Sequence, residues 1–69
     1  METIREVIAK NLRFYRLKKG FSQEKLAVRA DLTSEFISLI ERGKCNVGAD
    51  ALARMAKALE VNAWELLKE

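Results

Sequence analysis

Residues 21–43, FSQEKLAVRADLTSEFISLIERG, hold two short apolar rhythms separated by Ala30, Asp31 and Leu32, with a hydroxyl residue ahead of each. Ser22 can cap one helix whose inward positions are Leu26, Ala27 and Ala30, and Thr33 can cap another that buries Ile37 and Ile40. Helices of about two turns can pack at a steep angle across so short a joint only if their backbones come close. A small side chain must therefore lie at the crossing, and Ala27 is that residue. The corner also needs a position that tolerates positive φ; Asp31 stands there and can adopt the left-handed region at modest cost. Leu32 then closes the corner, while Ile37 and Ile40 lock the later helix against Leu26. Ser34, Glu35, Ser38 and Leu39 are left on a face that the core does not need. A helix held at its N-terminus and exposed along one side has the shape that enters a DNA major groove.

The remainder of the chain supplies a core for this corner. Residues 3–19 form an amphipathic pattern with Ile4, Ile8, Leu12 and Tyr15 inward, stopped by Gly20. A loop over 44–47 leads to a helix near 49–59 with Leu52, Met55, Ala56 and Leu59 on one face. Asn62 can cap a last short helix carrying Trp64, Leu66 and Leu67, and Phe21, Leu32, Val47 and Val61 can plug the edges of the core. The pattern predicts an all-α fold of five helices with no strands. Each helix is too short to persist alone, and 69 residues suffice for one core, so residues 1–69 are expected to form a single domain.

The net charge of +3 is unevenly spread. Lys10, Arg13, Arg16, Lys18, Lys19, Lys25 and Arg29 face the single acid Glu24 between positions 10 and 29, whereas acids slightly outnumber bases beyond Ala49. That asymmetry favours a polyanionic partner for the first half. The chain has no His and one cysteine, Cys45, so the usual zinc sites and an internal disulfide are out of reach. No Gly-rich phosphate loop or paired acids suggest catalysis, and no cofactor is expected. No run is long enough to span a membrane, and the expected location is the cytoplasm.

Residues 23–42, with Ala27 at the crossing, Leu32 after the turn, and Ile37 and Ile40 inward, resemble the helix-turn-helix of the lambda-repressor-like family, also called XRE-type regulators. The likeness extends through IAKNLRFYRLKKGFSQEKLA, ISLIERGKCNV and ALARMAKALEV, which resemble the family's first two helices, its recognition helix with the following loop, and its fourth helix. The segment IERGKCN is also similar to the controller proteins of restriction-modification systems. The resemblance implies a compact five-helix DNA-binding domain with its helix-turn-helix at about 22–42. It implies base readout by Thr33, Ser34, Glu35, Ser38 and Leu39, and a grip on the sugar-phosphate backbone by Ser22 and Gln23. Arg42, Lys44 and Asn46, just beyond the recognition helix, would brace the other side of the site. It further implies a partly buried ion pair between Arg16 and Glu41.

These features predict a non-enzymatic regulator that reads double-stranded DNA, as a homodimer joined through Trp64 and Leu67 on a pseudo-palindromic site. RNA polymerase or another protein is a further possible contact. The rival expectation is a protein-interaction module, an antitoxin or adaptor that uses the same fold. Salt separates the two, because counterion release makes DNA binding steeply salt-dependent.

Overall fold

The computed structural model describes residues 2–69. Four α-helices, α1 (Ile4–Lys19), α2 (Gln23–Ala30), α3 (Ser34–Glu41) and α4 (Ala49–Leu59), are followed by one 3-10 turn, Ala63–Leu66. The fifth helix expected from the sequence is therefore only this turn. Its hydrogen bonds run from Glu65 N–H to the Asn62 carbonyl and from Leu67 N–H to that of Trp64. The carbonyls of Leu66 and Lys68 accept instead from the Asn11 side chain of α1, so the backbone beyond the turn is tied to a neighbouring helix.

The starts of α1, α2 and α3 and the ends of α1 and α2 have local reasons. Thr3 accepts from the Glu6 N–H while the Glu6 carboxylate accepts from the Thr3 N–H, a reciprocal box that opens α1. Ser22 and Thr33 accept from the N–H groups of Lys25 and Phe36 and so cap α2 and α3. Gly20, at φ 74°, ends α1 in the left-handed conformation. Asp31 ends α2 in the same way at φ 58° and ψ 48°, the strained corner that the short connection demands.

At Asp31 the backbone pays for the turn with a side chain in a region where L-residues are crowded. Asp31→Gly is expected to raise stability by roughly 0.5–1 kcal/mol, or a few degrees in melting temperature. The gain is limited because Arg54 Nη2 and Nη1 reach Asp50 and Asp31, and the exposed Asp31 contact is lost. An unchanged or lowered thermal melt would show that the aspartate side chain outweighs the backbone strain.

The core gathers Ile8, Leu12, Leu26, Ala27, Ala30, Ile37, Ile40, Met55, Ala56, Leu59 and Leu66, with Phe21, Leu32, Phe36, Val47 and Val61 packed around it. Ala27 is buried at 3 % exposure, as a close α2–α3 crossing requires. One inward position differs from expectation: Ile4 is 58 % exposed, and Val7 is buried instead. Ile4 is the first residue of α1 and faces solvent, whereas Val7 lies one turn before Asn11, where the C-terminal segment is bound. The 3-10 turn packs on α1 and α4, and α3 packs on α1 and α2.

Candidate nucleic-acid interface

The apolar spacing of α3 turns Ile37 and Ile40 fully inward and leaves the opposite side outward. Glu35 and Leu39 are exposed, and Ser34 and Ser38 are half-buried. Leu39 is thus outside the core despite its neighbour Ile40. Phe36 packs against the core. Thr33 has a prior engagement: its hydroxyl oxygen accepts from the Phe36 N–H at 3.1 Å, leaving its own O–H as the group it can offer to a ligand.

The ends of the helices bring the remaining candidates alongside. Ser22 caps α2 at the helix N-terminus, where the backbone N–H groups and the helix dipole favour an anion. Beyond α3, Arg42 and Lys44 are exposed, and the Lys44 N–H returns to the Leu39 carbonyl at 3.0 Å, which binds the start of the loop to the helix. Gly43, at φ 68°, permits this reversal. Asn46 is exposed farther along the same loop. Gly48 precedes α4 without a side-chain cap, so the N–H groups there are also open to an anion, although Asp50 in the first turn opposes one.

Behind this surface lies a charged cluster. Arg16 Nε and Nη2 donate to Glu41 Oε2 and Oε1 at 2.6 and 3.0 Å, a two-pronged pair between α1 and the last residue of α3. Arg16 Nη1 donates to the Phe21 carbonyl at 2.8 Å. The Arg16 and Glu41 side chains are 8 % and 2 % exposed. Their hydrogen bonds hold the guanidinium above its already high ordinary pKa, so it stays charged throughout the accessible range. Arg13 lies farther off, with Nη1 at 3.9 Å from Glu41 Oε1 and most of its side chain in solvent.

Gln23 joins the same cluster. Its Nε2 donates to Glu41 Oε1 at 3.2 Å, so one of the two amide N–H donors of a residue expected to grip the sugar-phosphate backbone is engaged internally. The sequence did not signal this tie, because positions 23 and 41 lie on different helices and neither residue type is distinctive by itself. Its consequence is that one carboxylate links the start of α2 to the end of α3, the two ends that frame the outward face.

Trp64 and Leu67 lie on or beside the C-terminal turn, away from this cluster, and are 56 % and 40 % exposed. Lys68 places its ammonium 5.2 Å from the centre of the Trp64 ring. These two residues therefore belong to a separate apolar surface, carried by elements that pack on α1 and α4.

A steep α2–α3 corner on a four-helix core, with a polar outward face on α3, defines a helix-turn-helix domain. The family model described as helix-turn-helix matches residues 12–63. The chain belongs to that family, the XRE type of non-enzymatic, DNA-binding transcriptional regulators. It is similar to a hypothetical transcription factor of Neisseria meningitidis serogroup B, 39% identical over 66 residues that make up 96% of this chain and 62% of that protein. The chain thus spans less than two thirds of that relative. It is also similar to the control protein C.BamHI of Bacillus amyloliquefaciens, 45% identical over 65 residues, or 93% of this chain and 80% of that protein. The crystal structure of the restriction-modification controller protein C.AhdI from Aeromonas hydrophila superposes with a TM-score of 0.87 at 34% identity, covering 90% of this chain and 94% of that one.

Proposed function

We propose that the chain regulates transcription by binding a pseudo-palindromic DNA site as a homodimer, with α3 in the major groove. The observation that carries this reading is the division of α3 into a buried side, Ile37 and Ile40, and an outward side bearing Ser34, Glu35, Ser38 and Leu39. Serine hydroxyls read either donors or acceptors, Glu35 can accept from a cytosine amino group, and Leu39 can pack on a thymine methyl. No arginine or lysine stands among these four residues to grip guanine, so DNA shape and the flanking Arg42 and Lys44 supply part of the selectivity.

The domain measures 31 × 22 × 21 Å. Two copies set end to end along the 31 Å axis would have their centres close to the roughly 34 Å between successive major grooves on one side of the duplex. The exposed Trp64 and Leu67 provide apolar surface for that pairing, since tryptophan is normally well buried. Similarity to C.BamHI and C.AhdI supports the narrower role of a controller of a restriction-modification system. Among the described residues no helix is long and apolar enough to cross a membrane, and a regulator that acts on DNA would work in the cytoplasm.

Selection of bound duplexes from a random pool tests the reading directly: a twofold-symmetric site is expected, and a pool that stays random overturns it. Two substitutions then separate readout from positioning. Ser34→Ala is expected to relax the base preference at one position in each half-site, with a loss of about 1 kcal/mol for the preferred base. Lys44→Ala should instead weaken every duplex alike and lower the slope of log affinity against log salt by about 1 per subunit. If binding hardly changes with salt, an apolar protein contact displaces DNA as the function.

A further inference from the structure

The apolar surface of Trp64 and Leu67 is mounted on a segment with little structure of its own. A single 3-10 turn has few internal hydrogen bonds, and short helical pieces do not hold their geometry unaided. Within the turn, the Asn62 N–H donates to the Glu65 carboxylate at 3.1 Å. The stronger attachments come from α1, more than fifty positions earlier in the chain. Asn11 Nδ2 donates to the carbonyls of Leu66 and Lys68 at 3.0 and 2.7 Å, one on each side of Leu67. Tyr15, four residues farther along the same helix, donates its hydroxyl to Glu65 Oε1 at 3.2 Å.

The two Asn11 bonds straddle Leu67. The peptide unit that leads into this residue and the one that leaves Lys68 are both fixed to α1, which restricts how far the backbone carrying Leu67 can swing. Leu66, just before it, is fully buried in the core, so the backbone is pinned from within by an apolar side chain and from the side by an amide. An asparagine amide carries two N–H donors on one nitrogen and is the right length to serve two carbonyls that lie two residues apart. Alanine has no donor, and aspartate has the shape without the donors.

We propose that Asn11 is a positioning residue for the subunit contact: it presents Leu67 and Trp64 in the orientation that a second copy of this chain packs against. The inference rests on the homodimer proposed above. A preset apolar surface associates more tightly than one that must be ordered at the moment of contact, because the ordering entropy has already been lost. Asn11 therefore acts on dimerisation without lying in the interface.

The test compares dimer dissociation constants by sedimentation equilibrium for the full chain, Asn11→Ala and Ala53→Gly. Ala53 is exposed on α4, and glycine there lowers the melting temperature through helix propensity alone, so it controls for a general loss of stability. Asn11→Ala is expected to weaken the dimer about tenfold or more while circular dichroism of the dilute monomer keeps its helical signal, and Ala53→Gly should leave the dissociation constant unchanged. If Asn11→Ala does not fold, Asn11→Leu, which keeps a neutral side chain of similar size and lacks the donors, is measured in its place with the same expectation. Equal weakening by the Asn11 and Ala53 variants, or no weakening by the former, overturns the positioning role and leaves the homodimer standing. A full chain that stays monomeric at every concentration, and binds DNA as a monomer, defeats the homodimer itself.

Discussion

Replacing Arg16 by alanine is expected to abolish the cooperative thermal transition near room temperature, the largest single effect in this molecule. The substitution leaves the Glu41 carboxylate, 2 % exposed, without the guanidinium that supplies two of its hydrogen bonds. It also frees the Phe21 carbonyl at the α1–α2 connection. Stranding one member of a buried ion pair costs about 3–5 kcal/mol, and a core of this size rarely provides more than about 3–5 kcal/mol in total. A circular-dichroism melt that superimposes on that of the unaltered chain would remove the pair from any account of the fold.

The size of that loss does not mean that the pair stabilises the fold by the same amount. Desolvating both charges offsets much of their attraction, so Arg16→Met combined with Glu41→Leu should melt far closer to the original than the sum of the single substitutions implies. What the double variant should lose is geometry. Glu41 also receives Gln23, so the cluster sets where the N-terminus of α2 lies relative to the end of α3. Both ends frame the proposed DNA surface. Weak DNA binding by a well-folded double variant is the expected signature of a pair retained for alignment.

The corner at residues 22–42 was legible in the sequence because each of its determinants acts within a few residues. Ser22 and Thr33 cap the helices that directly follow them, Asp31 takes positive φ at the joint, and Ile37 and Ile40 share a face through helical periodicity. Arg16 and Glu41 were placed by family resemblance, and no local pattern links them. Features that depend on which distant segments meet were not legible. Ile4 fits the apolar period of α1 as well as Ile8 does, yet periodicity cannot register which of its positions another segment covers, and Val7 is covered where Ile4 is not. The reduction of the last helix to a 3-10 turn, and the hold of Asn11 on it, are set by a helix more than fifty residues away. Gln23 shows the same limit at the site: its position at the head of α2 was readable, and its bond to Glu41 was not.

Ala27→Leu is the second large effect expected, and it bears on fold and function together. Ala27 is 3 % exposed on α2, which packs on α3, and the short joint between them is expected to bring the two backbones together at this small side chain. The isobutyl group that replaces the methyl cannot point into solvent from a buried position, so it must push a neighbouring helix away or displace core side chains such as Leu26, Ile37 or Ile40. Overpacking of this kind costs about 1–3 kcal/mol, which for a domain of this length lowers the melting temperature by roughly 5–20 °C. Displacing α3 also moves the face bearing Ser34, Glu35, Ser38 and Leu39 relative to Ser22 at the head of α2. Affinity for a selected duplex should then fall even at temperatures where the variant is fully folded, because base contacts and backbone contacts no longer fit one duplex at once. Ala27→Gly provides the contrast: it keeps the approach, costs about 1 kcal/mol of helix propensity, and should retain selective binding when measured well below its melting temperature. If the leucine variant melts and binds like the original chain, the α2–α3 crossing is not what holds the reading face in place, and the proposed mode of DNA recognition loses its structural basis.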